Sequence, residues 1–189
     1  MSIQPRVKGI VFRTTTMTFA KLTSQGTVDR AMALTSEPLR SSLKGRLILS
    51  SAWYPLDWYK QWLHAMRDAH RSGSEFIKTV VREGVLHDLG GVYRIFLLVM
   101  SPEGVIPRAS RLFSTYYDTG AISVEVSRPG MSRVRCTGCT GFDELLWQSV
   151  IGGAEAALIA AGAKHVRFHT LEGGKDGDDF FCGEAHWVA

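Results

Sequence analysis

The hydrophobic period of this chain changes at Gly120, and that change limits the folds open to it. Before Gly120, apolar residues recur every three to four positions; after it they alternate. Ala121 to Ser127 (AISVEVS) alternates apolar and polar, as in a strand with one buried face. Arg128-Pro129-Gly130-Met131 is a turn signal, and Ser132 to Cys136 is the returning strand of a hairpin. Phe142 to Ala161 carries a broad apolar helical face. Gly152-Gly153 inside it cost roughly 1 kcal/mol each relative to alanine and permit close packing of another helix. Lys164 to Thr170 and Phe180 to Val188 read as strands around the Gly/Asp loop 172–179.

Upstream, Val7 to Phe12 reads as a strand. Phe19 to Leu22 and Thr27 to Leu34 are short helices, with Ser24 or Thr27 as a cap, and residues 37–43 add one more turn. A longer helix starts near Tyr54, where Tyr54, Trp58, Trp62 and Met66 recur every four residues and lay an aromatic stripe along one face. Ser74 opens the next helix, which runs through Leu89. The stretch from Gly90 to Gly120, GGVYRIFLLVMSPEGVIPRASRLFSTYYDTG, then supplies the helices on which the rest packs. Val92 to Met100 is expected to be a buried helix, and Ser101-Pro102-Glu103 restarts a second one through Tyr116. The order of elements predicts an α+β fold, an antiparallel sheet with a helical block packed on it, as one domain over residues 1–189.

Composition excludes several classes. With 189 residues, 45% hydrophobic and 21% charged, the chain can bury a sizeable core. A net charge of +4, with acidic residues mixed in throughout, is not the basic stripe of a nucleic-acid binder. The best apolar run, Val92 to Met100, is interrupted by Arg94 and too short to span a membrane. No leader pattern opens the chain, and three cysteines make no disulfide framework, so the expectation is a reduced, cytoplasmic protein.

Two groups of residues carry candidate chemistry. The aromatic residues Trp58, Trp62, Tyr93, Phe96, Phe113 and Tyr116, with Trp53, Tyr54 and Tyr117 nearby, suit the lining of a cavity for an apolar ligand. They suit a filled core or a protein interface equally. Arg94, Arg108 and Arg111 at the edges either pair with a ligand anion or are solvated. Cys136-Thr-Gly-Cys139 has the spacing of a zinc knuckle or a dithiol pair, with Cys182 as a third metal candidate. His186 cannot join Cys182 on one ion along a regular strand, because residues four apart lie about 13 Å from each other. The alternative is small core residues. Nothing like GxSxG accompanies the scattered histidines, and Asp176, Asp178 and Asp179 lack the glutamate that closes a calcium loop.

The segments SSAWYPLDWY, GGVYRIFLLVMSPEGVIPRASRLFSTYYDTG and LWQSVIGGAEAAL resemble a paralogous family of myxobacterial proteins. That family is similar, more distantly, to the vinyl-reductase-type ligand-binding domain, itself related to haem-dependent nitric-oxide sensors and to TRAPP-type vesicle-tethering subunits. The resemblance implies an α+β, often dimeric fold whose helices and sheet enclose an apolar ligand. It implies no reaction, hence a non-enzymatic sensory or regulatory domain. The alternatives are a homodimeric interaction module with a filled core and a zinc or thiol-redox protein. The related domains carry a cysteine where this chain has Trp147, and none stands in strand 164–170. The sensors' tyrosine-serine-arginine signature and proximal-histidine context are missing, so haem is not expected.

Overall fold

The computed structural model describes residues 4–89 and 101–188. A short ribbon pairs β1 (Arg6–Lys8) with β2 (Trp53–Pro55), antiparallel. Between and after these strands lie α1 (Ile10–Leu22), α2 (Gln25–Leu34), α3 (Leu39–Lys44), α4 (Leu56–His70) and α5 (Ser74–Leu89). A short α6 (Pro102–Val105) runs through one 3-10 turn (Ile106–Arg108) into α7 (Ala109–Tyr116). The second half holds β3 (Ala121–Arg128), β4 (Met131–Thr137), α8 (Glu144–Ala160), β5 (Lys164–Gly173) and β6 (Phe181–Val188). The four strands form one antiparallel sheet in the order β3-β4-β6-β5. This is the α+β architecture expected from the change of period.

Several elements follow their sequence signals closely. Ser24 caps α2, its Oγ accepting from Thr27 N–H, and Ser101 caps α6 by accepting from Gly104 N–H. The β3–β4 hairpin turns at Pro129-Gly130, where Gly130 has a φ of +76°. The expected buried helix at Val92–Met100 lies outside the described residues.

Two expectations are corrected. The strand read over Val7 to Phe12 stops at Lys8, and α1 begins at Ile10. Phe12, Thr15 and Phe19 line one face of that helix and are buried, so tertiary packing overrides the strand preference of Ile10, Val11 and Phe12. Thr15 Oγ1 donates to Val11 O at 2.7 Å within the same helix. The second correction turns α4 about its axis. Its buried face is Leu56, Tyr59, Trp62, Leu63 and Met66, while Trp58 sits half-buried beside it and stacks on Tyr54, with ring centroids 6.0 Å apart.

The centre of the described fold is α8. Leu145, Leu146, Trp147, Ile151, Ala156 and Leu158 are buried, so this helix has partners on several sides. Against α5 the approach is close: a Cβ at Gly152 would lie 2.5 Å from Lys78 O. The buried Glu155 carboxylate on α8 reaches Lys78 Nζ at 3.6 Å and Arg82 at 3.4 Å, both on α5. Asp143 starts α8. Its Oδ1 accepts from Leu146 N–H at 2.9 Å, and its Oδ2 meets His64 Nε2 at 2.9 Å. The segment after α7 is tied to the ribbon by Arg6 Nε, which donates to Asp118 Oδ2 at 2.6 Å, and by a bridge between Val7 and Tyr117.

Candidate functional site

The small residues of α8 leave space on its far side. Gly153, Ala154 and Ala157 face away from the α5 contact at Gly152, and a Cβ built at Gly153 would meet, beyond its own helix, no atom of the described residues within 4 Å. Opposite them stand Ala109, Leu112 and Phe113 of α7 and the inner face of the sheet. Between these walls, α1 and α5 lies a cavity of about 390 Å³. That is within the range of sites that hold small organic ligands, and more than twice the ~150 Å³ void that admits benzene.

Strand register decides which residues reach it. In β4, Ser132, Val134 and Cys136 face the cavity, and in β6 Phe181 and Ala185 do. Arg133, Arg135, Cys182 and Glu184 therefore fall on the opposite face. There Arg133 Nε donates to Glu184 Oε1 at 2.9 Å, and Arg135 pairs with Glu125 and Glu172. Phe168 of β5 completes the sheet wall, its ring 6.1 Å from Phe181. On the helical side Phe113 stacks on Tyr117 at 4.9 Å.

The described lining is mostly apolar, and besides Thr15, Tyr116 and Ser132 its polar groups stand at two places. At the edge, Thr14 Oγ1 donates to Asp88 Oδ2 at 2.5 Å, and Arg108 NH1 donates to Gly104 O at 2.5 Å. Inside, Tyr59 Oη and Ser149 Oγ are 3.1 Å apart, and Tyr117 lines the cavity with them. Burial pushes the Tyr117 phenol up to about 12 and that of Tyr59 further still, with Ser149 opposing the shift in both. These hydroxyls stay protonated at neutral pH, as donors and acceptors without charge.

The expected site residues separate. Phe113 and Tyr116 line the cavity. Trp62 does not; it is fully buried with its ring edge-on to Phe19 at 6.2 Å, and Trp58 packs on Tyr54. Tyr93 and Phe96 lie outside the described residues. Sequence reasoning missed Tyr59, Ser149, Phe168 and Phe181 as lining. For Phe168 the available signal was its alternation with Val166; for Ser149, a hydroxyl on the otherwise apolar face of α8.

The cysteines do not converge. Cys136 faces the cavity, and Cys182 lies on the opposite face of the sheet with its Sγ 3.9 Å from Glu125 Oε2. Cys139 sits in the loop beyond β4, its thiol 3.8 Å from Thr137 O. Burial pushes Cys136 and Cys139 up to about 12 and raises Cys182 as well, the reverse of what a metal-bound or redox thiolate needs. Among the described residues, no group of three or more His, Cys, Asp or Glu side chains is arranged to hold a metal ion.

No protein-family model matches the chain, and no curated protein matches it in sequence. Solved structures do. An Fe(II) unliganded H-NOX protein from K. algicida aligns with a TM-score of 0.73 at 10% identity, over 96% of this chain and 97% of that one. An oxygen-binding H-NOX domain related to soluble guanylate cyclases aligns at 0.68 and 11%, over 96% and 95%. A Cs H-NOX protein aligns at 0.70 and 13%, over 96% and 97%. The fold is therefore H-NOX-like.

This corrects the expectation about haem. The missing signature residues argue against haem, yet the fold is shared with iron-containing proteins, and a further neighbour at TM-score 0.66 concerns haem redox potential and porphyrin distortion. The cavity walls fit the apolar face of a porphyrin. They do not supply an imidazole: no histidine lines the cavity among the described residues, and the sequence has none between His87 and His165. Among the described lining residues, the other side chains of a type that ligates haem iron are Tyr59, Tyr116, Tyr117 and Cys136. Of these, Tyr59, Tyr117 and Cys136 are held protonated by burial.

Proposed function

We propose that this chain is a non-enzymatic sensory domain whose output follows the occupancy of the cavity between α8, α7 and the sheet by an apolar ligand. The observation that carries the reading is the cavity itself, about 390 Å³ enclosed mainly by side chains without polar atoms. A fold shared with H-NOX proteins supports it, and haem is the cofactor class that this likeness brings forward. Bound haem would supply an iron centre for a diatomic gas. The residues of this chain would pack against the ring with Phe113, Phe168 and Phe181 and keep water out.

The cavity borders α1, α5 and α7 at once, so a ligand filling it changes the packing of three helices together. A partner, or a second copy of the chain as in the vinyl-reductase-type domains, reads that change. No helix among the described residues is long and apolar enough to cross a membrane. The test is native mass spectrometry of purified protein, followed by titration with haemin and with 2-naphthol. An adduct in the mass spectrum, or saturable binding of either compound, is expected. A bare chain that binds neither overturns the reading.

A further inference from the structure

We propose that the cavity selects an uncharged apolar molecule bearing one hydroxyl, and that Tyr59, Ser149 and Tyr117 form the subsite for that oxygen. The inference rests on the cavity's being a ligand site and adds the chemistry of the head group. Three observations carry it.

The first is where charge stands. Among the described lining residues only Asp88 and Arg108 are charged; both lie at the solvent edge and both are engaged, by Thr14 and by Gly104 O. A carboxylate carried inward past that edge would therefore leave water with no cation among the described lining residues to meet it, which burial strongly disfavours. The second is how the hydroxyls are used. Ser132 Oγ donates to Val126 O, and Thr15 Oγ1 donates to Val11 O, so each spends its hydrogen on the backbone. The Tyr59 and Ser149 hydroxyls instead meet each other at 3.1 Å, and Tyr117 lines the cavity beside them. Two hydroxyls joined by one contact retain one O–H and several lone pairs, and hydroxyl hydrogens rotate to suit the partner. Such a pair can accept from a ligand O–H and donate to its oxygen. The third is position. All three are buried yet border the cavity at its junction with α4, leaving the long apolar wall of Ala154, Ala157 and Leu158 for the body of the ligand.

The experiment uses three probes that share a fused two-ring body: naphthalene, 2-naphthol and 2-naphthoate. Affinities are measured by fluorescence for wild type, Tyr117→Phe and Ser149→Ala. The expected result is that wild type binds 2-naphthol about tenfold more tightly than naphthalene, from one satisfied buried hydrogen bond, and 2-naphthoate least. Both variants bind 2-naphthol no more tightly than naphthalene; circular dichroism confirms that they are folded. Equal binding of naphthalene and 2-naphthol by wild type, or tightest binding of 2-naphthoate, overturns the proposal. If haemin binds and no naphthalene probe does, the cavity reading stands and the hydroxyl subsite falls. If nothing binds, both fall.

Discussion

On one side of α8, the helices α1, α4 and α5 close on large rings: Phe19 meets Trp62 edge-on at 6.2 Å and Phe76 at 6.1 Å. Where Gly153, Ala154 and Ala157 face α7 and the sheet, α8 borders open space that residues of α1 and α5 also line. The first region holds Trp62 of the aromatic stripe, which the sequence reads either as a ligand lining or as a filled core. The second holds the cavity. The difference is one of volume. Aromatic residues at helical spacing fill what lies between helices, whereas a cavity appears where small residues face partners that cannot move inward.

The comparison breaks most visibly at Trp62. Trp62→Ala in the filled region is expected to lower stability by about 3–5 kcal/mol, read as a shift in urea midpoint. Leu112→Ala at the cavity edge, where Leu112 is already 43% exposed, should cost about 1 kcal/mol or less. Equal losses would mean that the two regions are packed alike.

The adjacent glycines sharpen the comparison further, because the same substitution should have opposite signs. Gly152→Ala places a methyl 2.5 Å from the Lys78 carbonyl and forces α5 and α8 apart, destabilising by about 1–3 kcal/mol. Gly153→Ala points into open space and gains helix propensity, stabilising by about 1 kcal/mol. Thermal denaturation of both variants checks the pair.

A smaller effect should appear with alkaline pH. Burial raises Cys136 and Cys139 from a usual value near 9 to about 12. The folded state keeps protons that the unfolded chain releases. Their contribution is therefore complete below pH 9 and is lost as the pH rises from about 9 to 12. Urea midpoints across that range should fall, and less steeply in Cys136→Ala. A midpoint that rises with pH would show that the thiols ionise within the folded protein.

Local order was legible wherever the physics is local. The hairpin of β3 and β4 shows in its period and its Pro-Gly turn, and the ends of α2 and α6 show in their serine caps. The start of helix α1 was hidden because Ile10, Val11 and Phe12 are branched and aromatic residues that favour a strand, and packing of Phe12, Thr15 and Phe19 makes the segment helical. For the site, Phe113 and Tyr116 were legible as aromatic residues in the right segment. Tyr59 and Ser149 were not, since their 3.1 Å contact joins positions 90 residues apart. Nor was Cys136 separable from Cys182 without the register that puts them on opposite faces. The resemblance to a family related to haem-dependent nitric-oxide sensors pointed toward the fold shared with H-NOX proteins at 10–13% identity, whereas missing signature residues alone did not dispose of haem.

The central claim, that the space beside Gly153 is a ligand site, is tested most directly by melting temperature. Wild type and Gly153→Leu are heated with and without saturating 2-naphthol and, separately, haemin. At a hundredfold excess over the dissociation constant, a ligand adds about 2.7 kcal/mol, or roughly 5–10 °C for a chain of this size. The account predicts such a rise in wild type with at least one of the two compounds. It predicts none in Gly153→Leu, whose own melting temperature is at least that of wild type because its side chain occupies the cavity. An equal rise in both proteins, or no rise in either, would contradict it.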